Sequence, residues 1–376
     1  MYLIVRLLVR LSRVLLPRPR RDSRRDSPSK DDHGNREARL GAIVDQLISC
    51  GFLDLRADDT ARRSAIRLAP TGSSIFVAII PRDQQDRALV LKFTDSVVAS
   101  VELATSSNVQ QQLAADERLA PWAHYVPRVL ASGLIDSTTF VIEQCLSLRD
   151  GRAVTGDPAT TGVLMKDAIR VIDAFHHLSA LRQQVDARVL AEIVDHPIDI
   201  VRANTSAGLF RSRARTLDRL ALWLRHSLLG RDVEIGWTHG DYHLGNVLID
   251  DRGDHVIGVV DWGRAEPDGM TVLDKITLIV FEGATSARQD VGAFMLELLR
   301  IVQFAPADAA DSGVLRELRR ILPPDSVADL RSLLMLTWLK HVANNLKNEE
   351  RTRAHGLWNL RTVDLVLHGA ATIIGY

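Results

Sequence analysis

His239-Gly240-Asp241-Tyr242-His243-Leu244-Gly245-Asn246, followed by Asp261-Trp262, supplies one carboxylate and two metal-binding groups at a fixed spacing. Between them, residues 247–250 (Val-Leu-Ile-Asp) and 255–260 (His-Val-Ile-Gly-Val-Val) read as two short apolar strands. Asp251-Arg252-Gly253-Asp254 is turn-like and joins them. The predicted hairpin sets Asn246 just before its first strand and Asp261 at the end of its second, so the two lie close together. Asp241 sits on the loop that leads in. Phosphoryl transfer from a magnesium-bound nucleotide to a hydroxyl asks mainly for positioning and charge neutralisation, and a base, an amide and a metal carboxylate are a sufficient core for it. A rival chemistry takes His239, Asp241 and His243 as metal ligands of a hydrolase. That needs further His or carboxylate ligands at motif spacing, and the sequence offers no second cluster.

At these residues the chain resembles the aminoglycoside phosphotransferase/choline kinase group, relatives of the protein kinases. The matching positions are His239, Gly240, Asp241, Asn246, Asp261 and Trp262 of the pattern H-G-D-x-x-x-x-N followed by a strand ending in D-W. The resemblance implies an α+β, protein-kinase-like two-lobe fold, with a small antiparallel-sheet N-lobe and a mostly helical C-lobe. It implies Asp241 as the catalytic base that orients the acceptor hydroxyl. Asn246 and Asp261 would hold Mg²⁺ against the phosphates of ATP, and His239 would be a core histidine bonding backbone. It further places Asp274 as an acid capping the helix that follows. There is no A-P-E segment between Asp261 and Asp274, which sets a protein-kinase reading lower.

Upstream, three segments alternate in strand fashion: Ser64–Leu68, Ser74–Ile80 and Arg87–Phe93. They read as a meander with a loop at Pro70–Ser73 between the first two. The backbone N–H groups of Gly72, Ser73 and Ser74 are candidates to cradle phosphate oxygens, although the loop lacks G-x-G-x-x-G. Lys92 sits near the end of the third strand and resembles the family lysine that binds the α- and β-phosphates. The family places an acidic partner on the next helix, about residues 96–120. The expected slot falls near Gln111 or Gln112, so Glu102 is the acid taken as the partner of Lys92. Thr138–Cys145 reads as a strand running into a polar break. It resembles the hinge that pairs adenine through backbone groups around Glu143 to Cys145.

These elements must be built from a chain of 376 residues, 46% hydrophobic, with acids and bases in exact balance. That suffices for a large core and more than one lobe. The absence of a sustained basic patch and the 5% aromatic content argue against a nucleic-acid partner. Cys50 and Cys145 are far apart in apolar surroundings, which points to reduced thiols and a cytoplasmic location. The expected organisation is a basic amphipathic segment and linker at 1–35, a nucleotide-binding lobe at 36–145, and a helical lobe at 146–376 carrying the catalytic loop and acceptor pocket. Met1–Leu16 is apolar with Arg6, Arg10 and Arg13 on one helical face. It is too short and charged to span a bilayer and lacks a signal-peptide core. The pattern fits an interfacial helix at the inner membrane face, or an extension without a fixed place.

Beyond residue 146, apolar residues recur at helical spacing over Thr160–Arg182, Leu209–Leu229, Val291–Phe304, Val327–Leu346 and Leu357–Ile374. His176 and His177 on the first of these read as packing or capping residues. Acidic candidates for meeting a cationic acceptor are Glu266, Asp268, Glu282, Glu349 and Glu350, diluted by Arg264, Lys340, Lys347, Arg351 and Arg353. The partner expected is a small-molecule hydroxyl acceptor of sugar, aminoglycoside-like or related type. The contrasting class is a nucleotide-binding pseudokinase or scaffold, suggested by the missing glycine pattern and the uncertain partner of Lys92.

Overall fold

The computed structural model describes residues 30–53, 65–69, 74–81, 88–205, 211–304, 313–322 and 329–346, with Val363 and Leu367. Gly72, Ser73, the amphipathic segment 1–16, Glu349, Glu350 and nearly all of 357–374 lie outside them. The chain divides into two compact units, 1–56 and 57–376. In the first, α1 (Lys30–Ser49) buries Leu40, Ile43, Val44 and Leu47, the i, i+3, i+4, i+7 stripe of an amphipathic helix. Gly51, at φ 76°, ends it in the left-handed conformation that only glycine adopts without cost.

The second unit opens on an antiparallel sheet of β1 (Arg67–Ala69), β2 (Phe76–Ile80), β3 (Leu89–Thr94), β4 (Val129–Ile135) and β5 (Thr138–Gln144). Its spatial order is β1-β2-β3-β5-β4. The three predicted upstream strands are thus present, with β5 inserted beside β3. Between them α2 (Val97–Ala115) starts on Ser96, whose side chain accepts from the Ala99 N–H, and buries Ala99, Leu103, Val109, Gln110 and Leu113.

The chain then becomes mostly helical. α3 (Pro158–Ser179) is capped by Asp157 with proline in its first turn, and it buries Leu164, Ala168, Ile169, Val171, Ile172 and Phe175. Short α4 (Ala187–Leu190), α5 (His196–Asn204) and α6 (Arg211–Leu228) follow. A second small sheet, absent from the sequence reading, joins β6 (Leu181–Gln184), β7 (Asp232–Thr238) and β10 (Glu266–Met270) in the order β10-β7-β6. The segment Glu-Pro-Asp-Gly-Met has poor strand propensity, and its proline is tolerated because β10 is an edge. The predicted hairpin is β8 (Val247–Ile249) with β9 (Val256–Val259). α7 (Val272–Ala287), α8 (Val291–Phe304), α9 (Gly313–Ile321) and α10 (Leu330–Leu346) complete the described helices. α10 is buried nearly all round, from Leu333 to Leu346, which makes it a central strut. Among the described residues no helix is long and apolar enough to cross a membrane.

Candidate active site

β7 delivers the chain into the loop at His239, and the loop is fixed by groups from three other elements. The buried Asp274 carboxylate on α7 accepts the N–H of His239 at 2.7 Å and of Gly240 at 2.9 Å, and meets His176 Nε2 of α3 at 3.1 Å. The sequence reading made Asp274 a helix cap. Instead, α7 begins at Thr271 without a side-chain cap, and Asp274 points back to clamp the loop. Burial alone would push its carboxyl up, but His176 and the His239 amide outweigh that and hold it below its usual range. His239 Nε2 lies 2.9 Å from the Val260 carbonyl, the backbone-bonding place expected of it. Its ring packs 4.7 Å from Trp262, in an aromatic cluster with Trp122 and Phe175. Gly240 adopts φ 76°, and a Cβ there would lie 2.2 Å from the Arg264 carbonyl, so the close approach of loop and β9–β10 connection requires glycine.

The hairpin closes the gap between Asn246 and Asp261. The Val260 N–H donates to the Asn246 carbonyl at 2.9 Å, which sets the residue before Asp261 against Asn246. Asn246 Nδ2 donates to the Asp241 carbonyl at 2.9 Å, tying the amide to the loop and leaving its Oδ1 as an acceptor. Asp261 is exposed and holds φ 67°, ψ 57°, a strained left-handed backbone for a non-glycine residue. Strain of this kind, of order 1–3 kcal/mol, collects at functional sites.

Asp241 has a partner the sequence did not announce. Arg264 Nη1 lies 3.1 Å from its Oδ2, while Arg264 Nη2 donates to Asn345 Oδ1 of α10 at 2.9 Å. Burial would push the Asp241 carboxyl up, but Arg264, followed by His243, His341 and His239, holds it below its ordinary range. It therefore stands ionised at neutral pH, with one oxygen fixed by Arg264.

Two neutral imidazoles border this pair. His243 stacks on Phe281 at 5.3 Å and accepts the Gly245 N–H on Nδ1, and burial lowers its pKa. His341 of α10 meets Phe281 edge-on, and its Nε2 lies 3.0 Å from Asn345 Nδ2. Burial pushes it down to about 4. Between pH ~6.5, the unfolded value, and about 4, the unfolded chain binds a proton that the folded chain lacks. Stability is therefore expected to fall as pH falls through that window. His341→Gln should flatten this slope in denaturation midpoints taken across it; an unchanged slope would show that His341 titrates normally.

In the five-stranded sheet, Lys92 forms its ion pair with Glu143 of β5, not with Glu102. Glu102 instead lines a cavity of about 530 Å³ with Val97, Gly263 and Arg264. The sequence argument searched the helix because the family's acid lies there. The sheet order decides otherwise, since β3 and β5 are neighbours. Gln111 and Gln112, the expected slot, are exposed, and it is Gln110 just before them whose Nε2 donates to Glu143 Oε2 at 2.8 Å. The hinge reading also changes. The N–H groups of Gln144 and Cys145 already donate to the Arg128 and Ala88 carbonyls at 2.9 and 3.0 Å. The Glu143 side chain serves Lys92, and the Cys145 amide is not available to a base, because the sheet ladder takes these donors. Ser74 lies just before β2, its carbonyl accepting from Thr94 Oγ1 at 2.8 Å.

The sequence profile of the phosphotransferase enzyme family matches residues 81–271, half of the chain, from the edge of β2 through the hairpin to β10. The chain belongs to the phosphotransferase enzyme family. The phosphotransferase accordingly combines an antiparallel five-stranded sheet with a mostly helical remainder, the α+β arrangement that its loop motif implied. Solved structures similar to it include an aminoglycoside phosphotransferase from Streptomyces rimosus in complex with ADP and streptomycin, at 13% identity over 73% of this chain and 92% of that one, TM-score 0.44. An aminoglycoside-3'-phosphotransferase of type VIII aligns at 19% identity over 72% and 93%, TM-score 0.41. An ethanolamine kinase from Plasmodium vivax aligns at 8% identity over 84% and 82%, TM-score 0.43. No curated protein matches the chain.

Proposed function

We propose that the phosphotransferase moves the γ-phosphoryl group of ATP to a hydroxyl of a sugar or related small polar metabolite, with Asp241 as base. The observation that carries this is the Asp241 carboxylate held by Arg264 at 3.1 Å, with its backbone carbonyl tied through Asn246 to the hairpin that ends at Asp261. The sheet portion up to residue 145 forms the nucleotide side, with Lys92 and the Ser74 end of the β1–β2 loop toward the phosphates. The helical portion from 146 forms the acceptor side.

The donor set suits Mg²⁺. Asn246 offers an amide oxygen and Asp261 an exposed carboxylate that makes no cap bond to the turn it opens. Among the described residues there is no group of three or more His, Cys, Asp or Glu arranged around a metal. Mg²⁺ is commonly bound through one or two protein ligands, with phosphates and water completing the shell. When bound there, it would neutralise charge on the phosphates. Asp241 would accept a hydrogen bond from the acceptor hydroxyl on the oxygen that Arg264 leaves, aim it at the phosphorus, and take its proton late. A late transfer needs no raised carboxyl pKa.

The acceptor side does not favour a polycation. Glu266, one of the acids available for amino groups, is paired with Lys340 at 2.7 Å. Arg264 places a guanidinium beside the base itself. A neutral or mildly polar hydroxylated acceptor meets these charges at lower cost. The test of the nucleotide site is Asp261→Ala, expected to weaken Mg-ATP binding at least about tenfold in titration calorimetry. Affinity for ATP with magnesium chelated should barely change. Equal Mg-ATP affinity in both proteins would remove Asp261 from the site. Mg-dependent ATP turnover over a panel of hydroxylated metabolites then identifies the acceptor.

A further inference from the structure

We propose that Glu143 of β5 is the positioning carboxylate of the phosphate-binding lysine, with Gln110 of α2 as a neutral clamp on it. The inference rests on reading Lys92 as the nucleotide lysine. β3 and β5 pair antiparallel with Val90 opposite Glu143 and Lys92 opposite Val141. Opposed residues in a ladder share a face, so Lys92 and Glu143 are diagonal neighbours on one side of the sheet. Long side chains bridge that diagonal. The pair forms with Glu143 only 2% exposed.

A buried carboxylate persists only if its oxygens are satisfied. Here each has its own donor. Oε1 takes the Lys92 ammonium, and Oε2 takes Gln110 Nε2 at 2.8 Å. Gln110 is itself buried, and its Nε2 also lies 3.3 Å from the Pro127 carbonyl ahead of β4. The carboxylate is thus fixed from the strand below and the helix above. The helix contributes an amide where an acid was expected, and the sheet contributes the charge.

This arrangement has a mechanical consequence. Both partners of the ion pair sit on adjacent strands joined by backbone hydrogen bonds, so the lysine is held by the sheet itself. A shift of α2 costs the amide–carboxylate hydrogen bond and leaves the ion pair in place. The lysine is pre-set for its task. The same pair removes one of the two features that favoured a non-catalytic reading, since Lys92 does have an acid.

The experiment compares Glu143→Gln, the exchange Gln110→Glu/Glu143→Gln, and Lys92→Met in the full chain. The readouts are kcat and KM for Mg-ATP with water as phosphoryl acceptor, and melting temperature. Glu143→Gln keeps the shape but removes the charge and leaves one acceptor oxygen for the two donors. Its kcat is expected to fall about a hundredfold, the scale of a misplaced reacting group, with KM for ATP within about threefold. The exchange returns a carboxylate to the same cluster from the opposite side and is expected to recover about tenfold of that loss. A group needed only for folding would lower the melting temperature and leave kcat per folded molecule intact. Glu143→Gln at full kcat, or an exchange as slow as the single substitution, overturns the assignment. Should Lys92→Met also turn over at full rate, the nucleotide-site reading fails as well; should it alone be inactive, only the role of Glu143 does.

Discussion

Asp241→Asn is expected to lower phosphoryl transfer by about a thousandfold or more while changing Mg-ATP affinity by less than about threefold, because general-base groups contribute about 10²–10⁴ to rate and little to ground-state binding. The amide is nearly isosteric and keeps an oxygen for the hydroxyl. What it loses is the negative charge that Arg264 fixes at 3.1 Å. Loop geometry should survive, since His239, Gly240 and Asn246 are held by Asp274, Val260 and the Asp241 carbonyl, none of which the substitution touches. Single-turnover rates, taken beside nucleotide titrations, separate the two effects. A variant retaining more than about a tenth of the parent rate would sink Asp241 as base.

Asp274→Ala acts by a different route and is expected to destabilise the chain by about 3–5 kcal/mol, the range for removing one partner of a buried charged network. Three donors lose their acceptor at once: two loop amides and the His176 imidazole, which lies at the joint of α3 and α7. Among the described residues His176 Nδ1 has no hydrogen-bond partner, so the ring has no second anchor there to fall back on. Because the folded pKa of Asp274 is depressed, its contribution is present above the unfolded value near ~3.9 and is lost as pH falls through the folded one. The alanine variant should therefore show a lower denaturation midpoint at neutral pH and a shallower decline in acid. A midpoint change below about 1 kcal/mol would show that the loop does not lean on this carboxylate.

Much of the site was legible because it is local. The eight residues from His239 to Asn246 and the hairpin behind them span little chain, so residue type, strand periodicity and turn chemistry fix their relative places. Asn246 beside the end of β9 follows from that alone, whereas His239 on backbone came from the family resemblance. The strands β1–β3 were legible for the same reason. The small sheet β10-β7-β6 was not, because Glu266–Met270 is a strand only through its pairing with β7.

What the sequence by itself determined was the H-G-D loop and its hairpin, since short-range backbone preferences are enough to bring Asn246 to the Asp241 carbonyl and to the end of β9. Tertiary structure alone decided which charges face them. Glu143 meets Lys92 because β5 inserts beside β3, and Asn345 holds Arg264 while His341 acts on Asp241 because α10 returns from about a hundred residues away. Ion pairs carry no periodicity, and their partners are chosen by whichever elements the apolar core packs side by side.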